Sequence, residues 1–291
     1  MNNTTKRKLT QSAQLFTLLI VFGLTILLSV FSNPVLAQGD LMIFPRRVVF
    51  EGKDKSQDLH LTNTGKDSAN YVISIVEIKM KDDGSFETIT EAEPGQNFAA
   101  PYLRFFPRSV TLAPGETQVI KIQLTKTSQL KEGEYRSHLY FRAVPDQKPL
   151  GEVEANVDTT NIGVILTPIF GITIPAIIRV GQSTATVNFS DLSVSMLNDT
   201  TPVLNLTFNR SGNMSVYGDV SVTYISPQGK ETEVGIVKGI AVYTPGTVRR
   251  AQLPLDDNQG IDYKTGKIKV VYTSLVNGKN IKMAEAELNL N

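Results

Sequence analysis

The chain has 291 residues, 29 Lys and Arg against 28 Asp and Glu, no cysteine, and 41% hydrophobic residues. The absence of cysteine excludes disulfides, thiolate nucleophiles and cysteine metal ligands, so an exported form must be held together by burial alone. Near neutrality argues against nucleic acid as a partner, because a phosphate-binding groove needs a basic excess, and the length allows two cores of ordinary domain size.

At the start, Lys6, Arg7 and Lys8 precede an apolar stretch from Leu15 to Phe31 that closes with Val35-Leu36-Ala37. This is the pattern of a signal peptide over residues 1–37 with cleavage after Ala37; the other reading of so long a stretch is an uncleaved membrane anchor. Removing the three basic residues takes the formal net charge from +1 to −2.

From Asp40 onward, short segments rich in Val, Ile, Tyr and Thr alternate with Gly, Pro, Asn and Asp, and no helical period is sustained. The fold class expected is all-β. Ile120, Ile122 and Leu124 alternate with Lys121 and Gln123. In residues 134–143, Tyr135, Leu139 and Phe141 share one face and Arg136, His138 and Arg142 the other, the signature of a half-buried antiparallel strand. Ala284, Ala286, Leu288 and Leu290 alternate with Glu285, Glu287 and Asn289, so a strand is expected at the end as well. Turns are expected at Asp82-Asp83-Gly84, Ala113-Pro114-Gly115, Pro227-Gln228-Gly229, Thr244-Pro245-Gly246 and Asn277-Gly278. This spacing suits two immunoglobulin-like β-sandwiches in tandem, residues 38–180 and 181–291, joined near Arg179 to Ser183.

Residues 161–178 are apolar at nearly every position and carry no charge. Such a run is either a strand buried on both faces or one whose second face awaits a partner, and Pro168 favours an edge position for part of it. Residues 210–218, dense in Asn, Gly and Ser, read as a structural corner bearing Tyr217.

Catalysis has little to work with. The two histidines, His60 and His138, sit in separate strand patterns and read as structural, and the acidic pairs Asp82-Asp83 and Asp256-Asp257 lie beside turns. No phosphate-binding glycine motif, nucleophile elbow or metal-ligand spacing occurs, so the expectation is a protein with no cofactor and no metal that is not an enzyme.

Several ordered blocks over residues 40–180 resemble the PapD-like periplasmic chaperones of pilus assembly. Phe44-Pro-Arg-Arg-Val-Val-Phe-Glu-Gly52 is similar to the opening strand of that family, with its arginine at Arg47. Leu59-His-Leu-Thr-Asn63 is similar to the second strand, residues 107–122 to the Pro-Gly turn and following strand, and Tyr135 to Pro145 to the sixth strand. The resemblance implies a periplasmic, boomerang-shaped pair of immunoglobulin-like domains that caps pilin-like or other secreted subunits by lending them a strand, with an outer-membrane usher as a further partner. It implies client-binding roles for Arg47 and its neighbour Arg46, and for Ile162, Val164 and Leu166 on the donor strand; direct alignment instead turns Gly163 and Ile165 to that face. Two departures stand out: Phe170 occupies the position of the family's lysine, and Ile174 precedes Pro175 where the family has an arginine. The alternative function is a secreted structural or adhesive sandwich that binds surface carbohydrate or matrix. Neither reading involves nucleic acid or a small-molecule substrate.

Overall fold

A computed structural model describes residues 41–144, 169–198, 200–256, 260–276 and 278–290. Residues 1–40, which hold the expected signal peptide, and 145–168, which hold Ile162, Val164, Ile165 and Leu166, lie outside the described residues.

The described chain is built of eighteen strands and two 3-10 turns, Ala100–Tyr102 and Thr127–Gln129. The first sandwich faces one sheet, in the order β1 (Leu41–Phe44), β3 (Ser56–Asn63), β9 (Thr117–Leu124), β7 (Leu103–Phe106), against another, in the order β2 (Val48–Phe50), β11 (Gly171–Val180), β10 (Gly133–Val144), β4 (Ala69–Val76), β8 (Ser109–Leu112). A small hairpin, β5 (Ile78–Met80) with β6 (Phe86–Thr88), stands beside them. The second sandwich has a three-stranded sheet, β12 (Thr186–Leu197), β13 (Thr201–Ser211), β16 (Val248–Pro254). It faces a four-stranded sheet, β15 (Glu231–Val242), β14 (Val216–Ile225), β17 (Gly266–Val276), β18 (Lys279–Leu290). The chain is therefore all-β, two immunoglobulin-like sandwiches in tandem.

The alternation seen in the sequence explains the cores. Ile120, Ile122, Leu139 and Phe141 turn inward and are buried with Leu59, Leu61 and Leu112, while Leu206, Phe208, Val220, Val222, Ile268 and Tyr272 fill the second sandwich. Each such side chain contributes roughly 1.5–3 kcal/mol by leaving water. Asn63 closes β3 by donating from Nδ2 to the carbonyls of Asp67 and Leu112 and accepting from Gly65 N–H. Gly84, Gly115, Gly229 and Gly278 all take positive φ at the turns expected of them.

Two strands depart from the expected pattern, and both departures shape the site. The first is the opening strand, which divides: β1 pairs antiparallel with β3, Pro45 to Arg47 cross over, and β2 pairs parallel with β11 from Ala176↔Val48 to Ile178↔Phe50. The short β2 leaves the first half of β11, Gly171 to Pro175, paired on one side with β10 and on the other side with nothing among the described residues. The second is β10. It was expected to be half-buried, yet Glu134, Arg136, Ser137 and His138 are buried along with its apolar face, because that side meets the second sandwich.

Candidate functional site

Glu134 anchors the junction of the sandwiches. Its side chain is fully buried and its carboxylate accepts four hydrogen bonds. Arg179 Nε donates to Oε2 at 3.0 Å and Ser215 N–H to the same oxygen at 3.1 Å; Ser215 Oγ–H and Thr244 Oγ1–H donate to Oε1, the latter at 3.2 Å. Three of these donors come from the second sandwich, so one buried charge ties the halves together with its lone pairs satisfied. Arg179 extends the network to Glu51 at 2.9 Å and to the Ser215 carbonyl at 2.9 Å.

Beside it, Arg136 donates to the Thr244 carbonyl at 3.1 Å and to the Ile78 carbonyl at 3.4 Å, its guanidinium 4.5 Å from the Tyr243 ring centroid. Ile177, Ala241 and Tyr243 make a small apolar core of their own there. His138 packs edge-on against Phe86 and Tyr243, and its Nδ1 has no hydrogen-bond partner. Burial, and after it the nearby Arg136 charge, pull its pKa from 6.5 to about 3, so it is neutral at ordinary pH.

Arg47 differs from these cations. The crossover delivers its side chain into a cleft of about 1440 Å³ lined also by Arg46, Pro175, Arg179, Tyr217 and Tyr243. Its guanidinium lies 3.9 Å from the Tyr217 ring centroid, its Nε has no partner, and among the described residues no carboxylate pairs with it. Burial first, then repulsion from Arg179, lowers its pKa, opposed by Tyr243, Tyr217 and Glu134; a guanidinium remains charged through such a shift. Stacking on a ring uses the flat face of a guanidinium and leaves N–H groups at its edge free to grip a carboxylate in the plane. Arg46, its neighbour in the crossover, is exposed at the same cleft.

The second feature is the free edge of β11. Ile169, Phe170 and Ile172, at its start, are 51%, 49% and 36% exposed, whereas Ile174, Ala176 and Ile178 further along are buried. An apolar strand whose backbone is unpaired on one side is a template for another chain. The edge runs into the cleft, because Pro175, Ile178 and Arg179 line it.

Arg46 and Arg47 both line the cleft, because they sit in the crossover and not in a regular strand. The sequence reading missed the roles of Glu134, Arg179, Ser215, Thr244 and the ring of Tyr217 at this junction. Alternation could have flagged Glu134, since a strand carrying Glu, Arg and His on its polar face within five residues is a candidate interface. Its partners lie 45 to 110 residues away and leave no local signal. Among the described residues no group of three or more His, Asp or Glu could hold a metal ion, and no helix is long and apolar enough to cross a membrane.

The geometry defines a two-sandwich β protein in which, among the described residues, one strand edge is unpaired and an arginine in the cleft beside it has no carboxylate partner. No family model matches the chain, and no curated protein matches it. Among solved structures it is similar to the YadV chaperone, at 14% identity over 87% of this chain and 100% of that one, with a TM-score of 0.43. It is also similar to the Pseudomonas aeruginosa CupB2 chaperone (15% identity, 86% and 99% of the chains, TM-score 0.39). A third is in a complex of Salmonella enterica SafA pilin with the SafB chaperone (14% identity, 86% and 96%, TM-score 0.40).

Proposed function

We propose that this protein is a periplasmic chaperone that captures secreted, pilin-like β subunits by strand complementation and anchors them at Arg47. The observation that carries the proposal is the first half of β11, unpaired on one side among the described residues and bordered by exposed Ile169, Phe170 and Ile172. A sandwich subunit lacking a strand exposes apolar pockets and unpaired backbone groups, and an apolar edge supplies side chains and hydrogen bonds together. Residues 161–166, with Ile162, Val164 and Leu166 or the alternate Ile165 as pocket fillers, lengthen that edge in the proposal. Arg47, seated on Tyr217 without a carboxylate of its own, then holds the client's terminal carboxylate; Arg46 at the cleft mouth adds charge. The role is binding, with no chemistry asked of the site. Secretion through the segment ending at Ala37 belongs to the same proposal.

The test is co-purification from periplasmic extract with the tagged chain and its Leu166→Asp and Phe170→Asp variants, each checked by circular dichroism. Folded variants that lose a β-rich secreted subunit held by the parent chain are expected. Folded variants that retain it, or variants that no longer fold, would show the apolar run to be ordinary core.

A further inference from the structure

The cleft around Arg47 has a second wall that the carboxylate-anchoring reading does not use. The tip of the β17–β18 hairpin brings Leu275 and Val276 to line it, together with Met283 from β18. Leu275 is 70% and Val276 48% exposed, large apolar groups held at the mouth of a cleft whose floor bears an unpaired guanidinium. They are pinned there by the hairpin register, Leu275 opposite Asn280 and Val276 opposite Lys279, with Gly278 at φ 75° making the turn. A cation and an apolar lip facing one space call for a ligand with a carboxylate next to an apolar group. The edge of β11, unpaired among the described residues, says what kind of molecule this is: a strand paired along Gly171 to Pro175 would run its end into the cleft that Pro175 lines.

We propose that the second sandwich reads the last residue of the client: the cleft selects a free C-terminal residue with an apolar side chain, its carboxylate on Arg47 and its side chain under Leu275 and Val276. The inference rests on the carboxylate-anchoring reading and adds specificity to it. At about 25 cal/mol per Å², partial shelter of an apolar side chain under Leu275 corresponds to a several-fold gain in affinity.

The test uses the full chain and fluorescein-labelled decapeptides of Ser, Thr and Gly that end in Leu with a free carboxylate, in Leu-amide, or in Ser with a free carboxylate, read by fluorescence anisotropy. The Leu-ended acid is expected to bind about fivefold tighter than the Ser-ended acid and at least tenfold tighter than the amide. Leu275→Ser, at an exposed position and checked for folding, is expected to erase the Leu-over-Ser preference while keeping the acid-over-amide preference. A Leu275→Ser chain that still prefers Leu would overturn the lip and leave the anchor standing. Equal binding of acid and amide by the parent chain would overturn the anchor and the inference with it, as would no binding of any peptide. Displacement of the peptide by octanoate as readily as by its unlabelled form would overturn the assignment to a polypeptide end.

Discussion

Replacing Glu134 by Gln preserves volume and removes the charge at the centre of the junction. According to its rotamer, the amide turns its N–H₂ group either toward Arg179 Nε and Ser215 N–H or toward the Ser215 and Thr244 hydroxyls, all of which donate to Glu134 as it stands. Arg179 Nε and Ser215 N–H cannot accept, so the N–H₂ group faces the hydroxyls, which must turn from donating to accepting, and the charged acceptor is lost in a place closed to water. Removing one partner of a buried ion pair costs about 3–5 kcal/mol; Arg179 keeps Glu51 at 2.9 Å and is itself partly exposed, which brings the expected loss to about 2–3 kcal/mol. For a chain of this size that is a fall in Tm of roughly 5–10 °C. With no tryptophan in the chain, urea unfolding is followed by far-UV circular dichroism and tyrosine fluorescence together. Because three of the four donors belong to the second sandwich, the two signals are expected to separate as the halves uncouple. Glu51→Gln is the control, since its side chain is more than half exposed and its loss is expected to cost under about 1 kcal/mol. If Glu134→Gln costs no more than Glu51→Gln, the network does not hold the junction.

His138 makes stability depend on pH. The unfolded chain takes a proton near 6.5 and the folded one only near 3, so stability is fullest above 6.5 and falls as pH drops through that window, by about 2–3 kcal/mol at pH 4.5 from this group. His138→Phe keeps a ring between Phe86 and Tyr243 and should remove that part of the slope; parallel curves for the two chains between pH 7 and 4.5 would refute the assignment. Gly218→Ala sets a Cβ 2.0 Å from the Thr273 carbonyl oxygen in the paired strand, and a loss of at least about 2 kcal/mol in urea titration is expected where an unstrained site would show little change. Arg47→Ala should weaken client capture while moving stability by under about 1 kcal/mol, because no carboxylate depends on it; a large loss of stability would make Arg47 structural.

The strands were legible in the sequence wherever one face meets a core and the other meets water. Ile120, Ile122, Leu139 and Phe141 announce their burial through period-two spacing, and the glycines at 84, 115, 229 and 278 announce the turns. The rule fails where a strand has two dry faces. Arg136 and His138 carry the same alternation as Lys121 and Gln123 yet are buried, because what covers them is a second sandwich encoded a hundred residues later. Polarity in a sequence says that a side chain needs hydrogen bonds, and water or a distant carbonyl satisfies that need equally. Tyr217 illustrates the same limit: the corner it belongs to was visible, while its use as a platform for Arg47 depends on how two domains meet.

One turn of the chain sets up both halves of the proposed site. A continuous opening strand would have paired along β11 and sealed its edge, with Arg46 and Arg47 on that strand's two faces. By crossing between sheets at Pro45 to Arg47, the chain shortens β2 to three residues, and β2 then covers only Ala176 to Ile178. The same crossover releases Arg47 from the ladder and sends its guanidinium to the Tyr217 ring across the cleft. The edge and the cation, both unpaired among the described residues, therefore follow from one local event, the crossover of Pro45 to Arg47. In the proposed function, a client pairing along the edge would be brought toward the cation by that pairing itself. Glu134 and Arg179, on β10 and β11, the strands next beyond β2 in its sheet, bind Ser215 on the wall that carries Tyr217 and so tie that wall to the same sheet.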